Sequence, residues 1–249
     1  MPSSRTLKAY FTEAKYESLR MLRSPSFGAI FLSLPVLLYL LFAAVIYGHA
    51  LQSDPKASIA VFTGFSVFGV MGPAMFGFGV NVAIEREQGL LRFKRAIPAP
   101  AGAYVTAKML MAILFATIIM ISMGLAALFV AHVATTPSRI ASIAAINVIG
   151  AVPFCAIGLL IGTIVKGAAA PGFTNLVYLP MLYLSGLFFP LPKALAAVAP
   201  IWPAYHLNQL VLGAAGVLPS TAAGMHLMVL VGVTVLFAWV ALRRLATTS

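Results

Sequence analysis

From Phe27 to Tyr47 the chain runs 21 residues without a charge, and several runs like it follow. A helix of about 20 residues crosses a bilayer core of roughly 30 Å. A soluble domain carries about 25% charged residues. Here 8% of the 249 residues are charged and 61% are hydrophobic. The sequence therefore predicts an all-α polytopic membrane protein, with residues 1–249 as a single transmembrane domain. Because the apolar run exceeds the usual signal-peptide h-region of about 7–15 residues, it is read as a permanent span.

Further apolar runs place spans at 59–84, 109–130, 140–165, 171–189 and 222–242, which makes six. Pro73 predicts a kink in the second. Gly64, Gly69, Gly72, Gly77 and Gly79 in the second let another helix come close; the fourth carries Gly158-x-x-x-Gly162, and its Asn147 predicts an interhelical hydrogen bond. Residues 1–26 read as an amphipathic helix: Leu7, Tyr10, Phe11, Ala14, Ser18, Met21 and Leu22 recur at helical spacing, with Lys8, Glu13, Lys15 and Arg20 off that stripe. Such a helix can lie in the membrane interface with its apolar face in lipid. Between 190 and 219, Pro190, Pro192, Pro200, Pro203 and Pro219 cut the chain into segments too short to span, as expected of re-entrant or interfacial helices. The layout is thus 1–26, spans one and two over 27–84, a loop over 85–100, spans three to five over 103–189, the re-entrant segment over 190–219, and span six with its tail over 222–249.

Sixteen Lys and Arg against five Asp and Glu give a net charge of +11. The basic residues cluster beside apolar runs, which sets membrane orientation and argues against nucleic-acid binding. On six spans, thirteen basic residues fall on one side and three (Lys56, Arg139, Lys193) on the other. That predicts cytoplasmic N- and C-termini in a plasma (inner) membrane, with the re-entrant segment outside. Lys108 is placed to snorkel at the start of the third span.

The chemistry open to this chain is limited. None of Glu13, Glu17, Asp54, Glu85 and Glu87 falls in the middle of a span, where an ion-coupled transporter keeps a carboxylate. His49, His132, His206 and His226 form no close ligand pair on one helix face and read as interfacial or hydrogen-bonded. The single cysteine, Cys155, excludes an intramolecular disulfide. There is no G-x-S-x-G nucleophile motif and no G-x-x-x-x-G-K-[ST] phosphate loop. No metal, cofactor or catalytic residue is expected. A chain with no driving force of its own, carrying a charged segment between two spans, points to energy arriving from another chain through that segment.

That segment is Glu85-Arg86-Glu87-Gln88-Gly89, followed by Leu90-Leu91-Arg92-Phe93-Lys94-Arg95-Ala96-Ile97-Pro98-Ala99-Pro100. Leu90, Phe93 and Ile97 share one face of a short helix that Pro98 and Pro100 stop. The run resembles the E-R-E-x-G-x-L pattern of ABC-2 type ABC-transporter permeases. Its Arg-Ala-x-Pro-x-Pro ending is similar to the branch of bacterial drug and antibiotic exporters. Ala107-Lys108-Met109-Leu110 resembles the family's opening of span three. Ser185-Gly186-Leu187-Phe188-Phe189-Pro190 with Pro203-Ala204-Tyr205-His206-Leu207 resembles its extracellular re-entrant helices. Leu90 departs from the family, where threonine is common.

The resemblance implies six helices per subunit, a dimer of permeases and two separate ABC ATPase subunits that hold the ATP and Mg. It makes 89–97 the coupling helix, with Glu85, Arg86, Glu87, Gly89, Leu90, Phe93 and Ile97 as the ATPase-coupling residues. Residues 1–26 become the connecting helix. A substrate path between spans two and five would take Phe65, Phe68, Met71, Met75, Asn175, Tyr178 and Tyr183. Export of lipophilic or amphipathic compounds fits the branch. A glycan or lipid-linked substrate calls for more polar residues in spans two and five. A non-translocating signalling subunit would lack substrate-dependent ATPase activity.

Overall fold

The computed structural model describes residues 4–90, 101–189 and 191–247. Phe93, Ile97 and the rest of 91–100 lie outside the described residues, as does Pro190. All regular structure among the described residues is helical.

Helix α1 is Ser4–Leu22. Helix α2, Pro25–Leu40, starts with proline in its first turn and continues as a π-helical segment, Leu41–Ile46. A short α3, Gly48–Ser53, follows. Helix α4 is Pro55–Gly72, capped by Asp54, whose Oδ1 accepts from the amides of Lys56 (3.0 Å) and Ala57 (3.1 Å). Asp54→Ala should cost about 1 kcal/mol, the usual worth of such a cap, read as a small fall in detergent Tm. At Pro73 the expected break is a π-helical segment, Pro73–Gly77, which leads into α5, Phe78–Glu87. A proline cannot donate its backbone N–H, and the wider turn absorbs the loss.

Helix α6 is Ala101–Phe129 and α7 is Pro137–Ile164. A 3-10 turn, Gly167–Ala169, opens α8, Ala170–Leu184. The fifth apolar run was expected to continue to Phe189. Instead α8 ends at Leu184, because the chain turns through Gly186 at φ +67°, a conformation that glycine adopts without strain. The proline-cut segment forms α9, Lys193–Ala196, a 3-10 turn at Ala199–Ile201, and α10, Pro203–Ala214. Helix α11 is Ala223–Thr247.

Four helical stretches among the described residues are long and apolar enough to cross a membrane: Pro55–Glu87, Ala103–Phe129, Pro137–Ile164 and Ser220–Leu245. Ile30–Ile46 is a shorter apolar helix, and α8 has 15 residues.

Helix α7 sits at the centre, packed on by α5, α6, α10 and α11. Glycine brings it against α5. A Cβ on Gly158 would stand 2.6 Å from the carbonyl oxygen of Met75, and one on Gly79 2.8 Å from that of Gly158. Asn147 Nδ2 donates to Ser66 Oγ at 2.9 Å, the interhelical hydrogen bond expected of it.

Candidate functional site

The end of α5 carries Glu85, Arg86 and Glu87, and each side chain is held by a different part of the chain. Glu85 is almost fully buried (3% exposed). Its Oε1 accepts from Lys108 Nζ of α6 at 3.1 Å and closely from Arg20 Nη2 of α1. Its Oε2 accepts from the Tyr104 hydroxyl at 2.6 Å. Glu17, one helical turn before Arg20, accepts from Arg20 at 2.8 Å and closely from Lys108. Two carboxylates and two cations thus balance around Lys108, which has no exposed surface. Burying charges this deeply is costly unless pairing and hydrogen bonds compensate, and here both are present.

Arg20 is the most accessible member of the cluster. Burial disfavours its charge, yet the carboxylates of Glu85 and Glu17 outweigh this and hold the guanidinium above its ordinary pKa. At 47% exposure it is partly screened by water and contributes less than Lys108.

Arg86 reaches the end of α7. Its Nη2 donates to the Val165 carbonyl at 2.8 Å, and its Nη1 donates closely to that of Thr163. The last carbonyls of a helix lack intrahelical donors and carry the negative end of its dipole, so a guanidinium fits there. Glu87 Oε2 accepts from the amide of Gly167 at 3.0 Å, at the turn that opens α8. A Cβ on Gly167 would stand 2.5 Å from that oxygen. Gly89 then ends α5 at φ +73°, its amide on the Arg86 carbonyl at 3.1 Å, and Leu90 is exposed.

Three consecutive side chains therefore join the exit of α5 to α1 and α6, to the end of α7, and to the start of α8. Lys108 was expected to snorkel. It is instead enclosed, because the carboxylates of Glu17 and Glu85 lie within reach. The buried stripe of α1 is Ala14, Glu17 and Met21, while Phe11 and Leu22, expected on its apolar face, are exposed. Sequence reading passed over Glu17, Arg20 and Tyr104. The available signal was Lys108 itself, a cation seven residues into an apolar helix and in need of an anion.

The expected path residues separate into three groups. Phe65, Phe68 and Tyr178 join one aromatic cluster with Phe188, whose ring lies 4.8 Å from Phe65 and 5.7 Å from Phe68, while Tyr178 lies 6.5 Å from Phe68. Met71 and Met75 are fully buried in the helix packing. Asn175 and Tyr183 lie on the exposed face of α8.

An all-helical chain with membrane-length apolar helices and a charged staple beside a loop defines a multi-pass membrane protein. Residues 8–220 match the ABC-2 type transporter family, and the chain belongs to it. It is 27% identical over 197 residues to YvfS of Bacillus subtilis (strain 168), described as a transport permease; the match covers 78% of this chain and 80% of that protein. Family membership makes the chain a transport permease and implies an ABC ATPase partner.

Proposed function

We propose that this chain is the membrane subunit of an ATP-driven exporter of lipophilic or amphipathic compounds. Two copies would pair in the plasma (inner) membrane, each with six spans and both termini in the cytoplasm. Two ABC ATPase subunits would bind the ATP and Mg, and this chain would hold no cofactor. In this reading the loop beginning at Gly89 seats on the ATPase through Leu90, Phe93 and Ile97. Glu85, Arg86 and Glu87 would act as positioning residues that pass its displacement to the spans.

The observation that carries the reading is the triple attachment at 85–87. A push on the loop after α5 meets rigid connections to four other helices rather than a free hinge. The exposed face of α8, with Asn175 and Tyr183, would be turned toward the second permease. The Phe65–Phe68–Tyr178 cluster would line the path. Its apolar, aromatic character suits lipophilic cargo better than glycans.

The test is purification of the tagged chain from native membranes in mild detergent. An ATPase chain should co-purify at equal stoichiometry. Phe93→Ala with Ile97→Ala should remove it while the permease still inserts. Intact permease with no ATPase, under conditions that preserve other ABC complexes, would overturn the proposal.

A further inference from the structure

His206 of α10 and His226 of α11 are both buried, and their Nδ1 atoms stand 2.8 Å apart. The ring centres are 5.1 Å apart, which is the nitrogen gap plus about one ring radius at each end. The two nitrogens therefore face each other along the line of centres. That is the arrangement of an N–H···N hydrogen bond. A shared metal would need both lone pairs to converge on a third point.

The second nitrogen of His206, Nε2, lies 2.8 Å from the Pro200 carbonyl oxygen. A carbonyl only accepts, so this nitrogen carries hydrogen. Three states then keep every bond. In one, both rings are neutral and His226 Nδ1 donates to His206. In the others a single ring is an imidazolium: His206, donating at both ends, or His226, still donating through Nδ1. A second ionising proton leaves no acceptor between the rings and sets two cations face to face.

Among the described residues, no acidic side chain is bonded to the pair to offset that repulsion. Tyr205 packs its ring against both histidines, with centres 5.4 and 5.9 Å away. Of the elements packed on the hairpin, α7 carries Arg139, beside Gly216 at the hairpin tip, and Cys155; the short α9 carries Lys193. Helix α4 brings Lys56 and α8 only Tyr178 and Tyr183. The carboxylate of Asp54 is engaged in capping α4. No acidic residue follows Glu87 in the sequence, and Arg243 and Arg244 lie at the far end of α11.

We propose that His206 and His226 form a proton-operated latch that holds the α10–α11 hairpin closed and releases it when the pair takes up a second ionising proton. Asn208 Nδ2 of α10 approaches the Gly186 carbonyl at 3.5 Å, so the hairpin also covers the turn that carries Phe188. Opening it would uncover one end of the aromatic cluster, a consequence that rests on the proposed path; the latch itself does not. Acid weakens the latch. Well below the ordinary histidine value of about 6.5, an open hairpin binds one more proton than a closed one, so opening there approaches a rise of about tenfold per pH unit.

The full-length chain in detergent tests this without substrate or ATPase. Val211→Cys places a thiol in the buried face of α10, and Leu218→Cys gives an exposed reference. The maleimide reaction rate at 211 relative to 218 should rise about three- to fivefold between pH 6.5 and pH 5.5. In His226→Asn, whose amide bonds to His206 but does not titrate, the ratio should stay flat. An equal rise in His226→Asn, or no rise with both histidines present, overturns the latch. If His226→Asn does not fold, 15N-histidine spectra of the unmodified chain decide. The two rings should take up protons in coupled steps, and two independent titrations would refute the proposal.

Discussion

Lys108→Met is expected to cost about 3–5 kcal/mol of stability, the usual effect of removing one partner from a buried ion pair. The methionine fills the volume but removes the fully enclosed cation that Glu17 and Glu85 share, leaving the half-exposed Arg20 as the other cation bonded to both. The negative charge inside the packing of α1, α5 and α6 is then less fully compensated. A lower detergent Tm and a smaller monodisperse fraction would report it. Adding Glu17→Gln restores the charge balance, so the double variant should regain much of the loss. Non-additivity of that sign separates a charge network from simple filling of space. A Lys108→Met protein as stable as the parent would mean that the network is not what joins α1 to the spans.

Gly158→Val is expected to cost about 3 kcal/mol or more, by forcing apart helices that now touch through backbone. The new Cβ would lie 2.6 Å from the Met75 carbonyl oxygen and 3.0 Å from its Cα. Backbone atoms cannot swing aside as the end of a side chain can. Gly224→Ala is the matched control, since a Cβ there meets nothing within 4 Å. The valine variant should show a sharp loss of folded protein in detergent and the control none. Equal behaviour of the two would remove the α5–α7 contact from the list of what holds the fold.

Both substitutions also show what could be read before the fold was seen. The close approach at Gly79 was legible because small side chains within an apolar run let another helix come near. The runs themselves were legible because bilayer thickness sets their length. Pro73 was legible because a proline inside a helix must disturb it. The Lys108 network was not. Glu17 lies 91 positions from Lys108 and Glu85 23, and no local period encodes a tertiary ion pair. On α1 the expected stripe and the buried one share Ala14 and Met21, and tertiary packing adds Glu17, which hydropathy does not select. The end of α8 was misplaced for a related reason: Leu187, Phe188 and Phe189 keep the apolar signal going after the backbone has turned at Gly186. His206 and His226 sit 20 residues apart on different helices, beyond the reach of any motif.

The most direct measurement concerns whether motion at the ATPase face depends on residues 85–87. Cys155 is buried, so a spin label at Leu218→Cys is selective for the α10–α11 tip. The label-to-label distance across a permease pair can be compared with and without ATP, with the ATPase bound. It should change on ATP binding in the parent. In a variant with Arg86→Gln and Glu87→Gln it should stay fixed, although the ATPase still co-purifies and hydrolyses ATP. An unchanged ATP response in that variant would contradict transmission through the Glu85-Arg86-Glu87 staple.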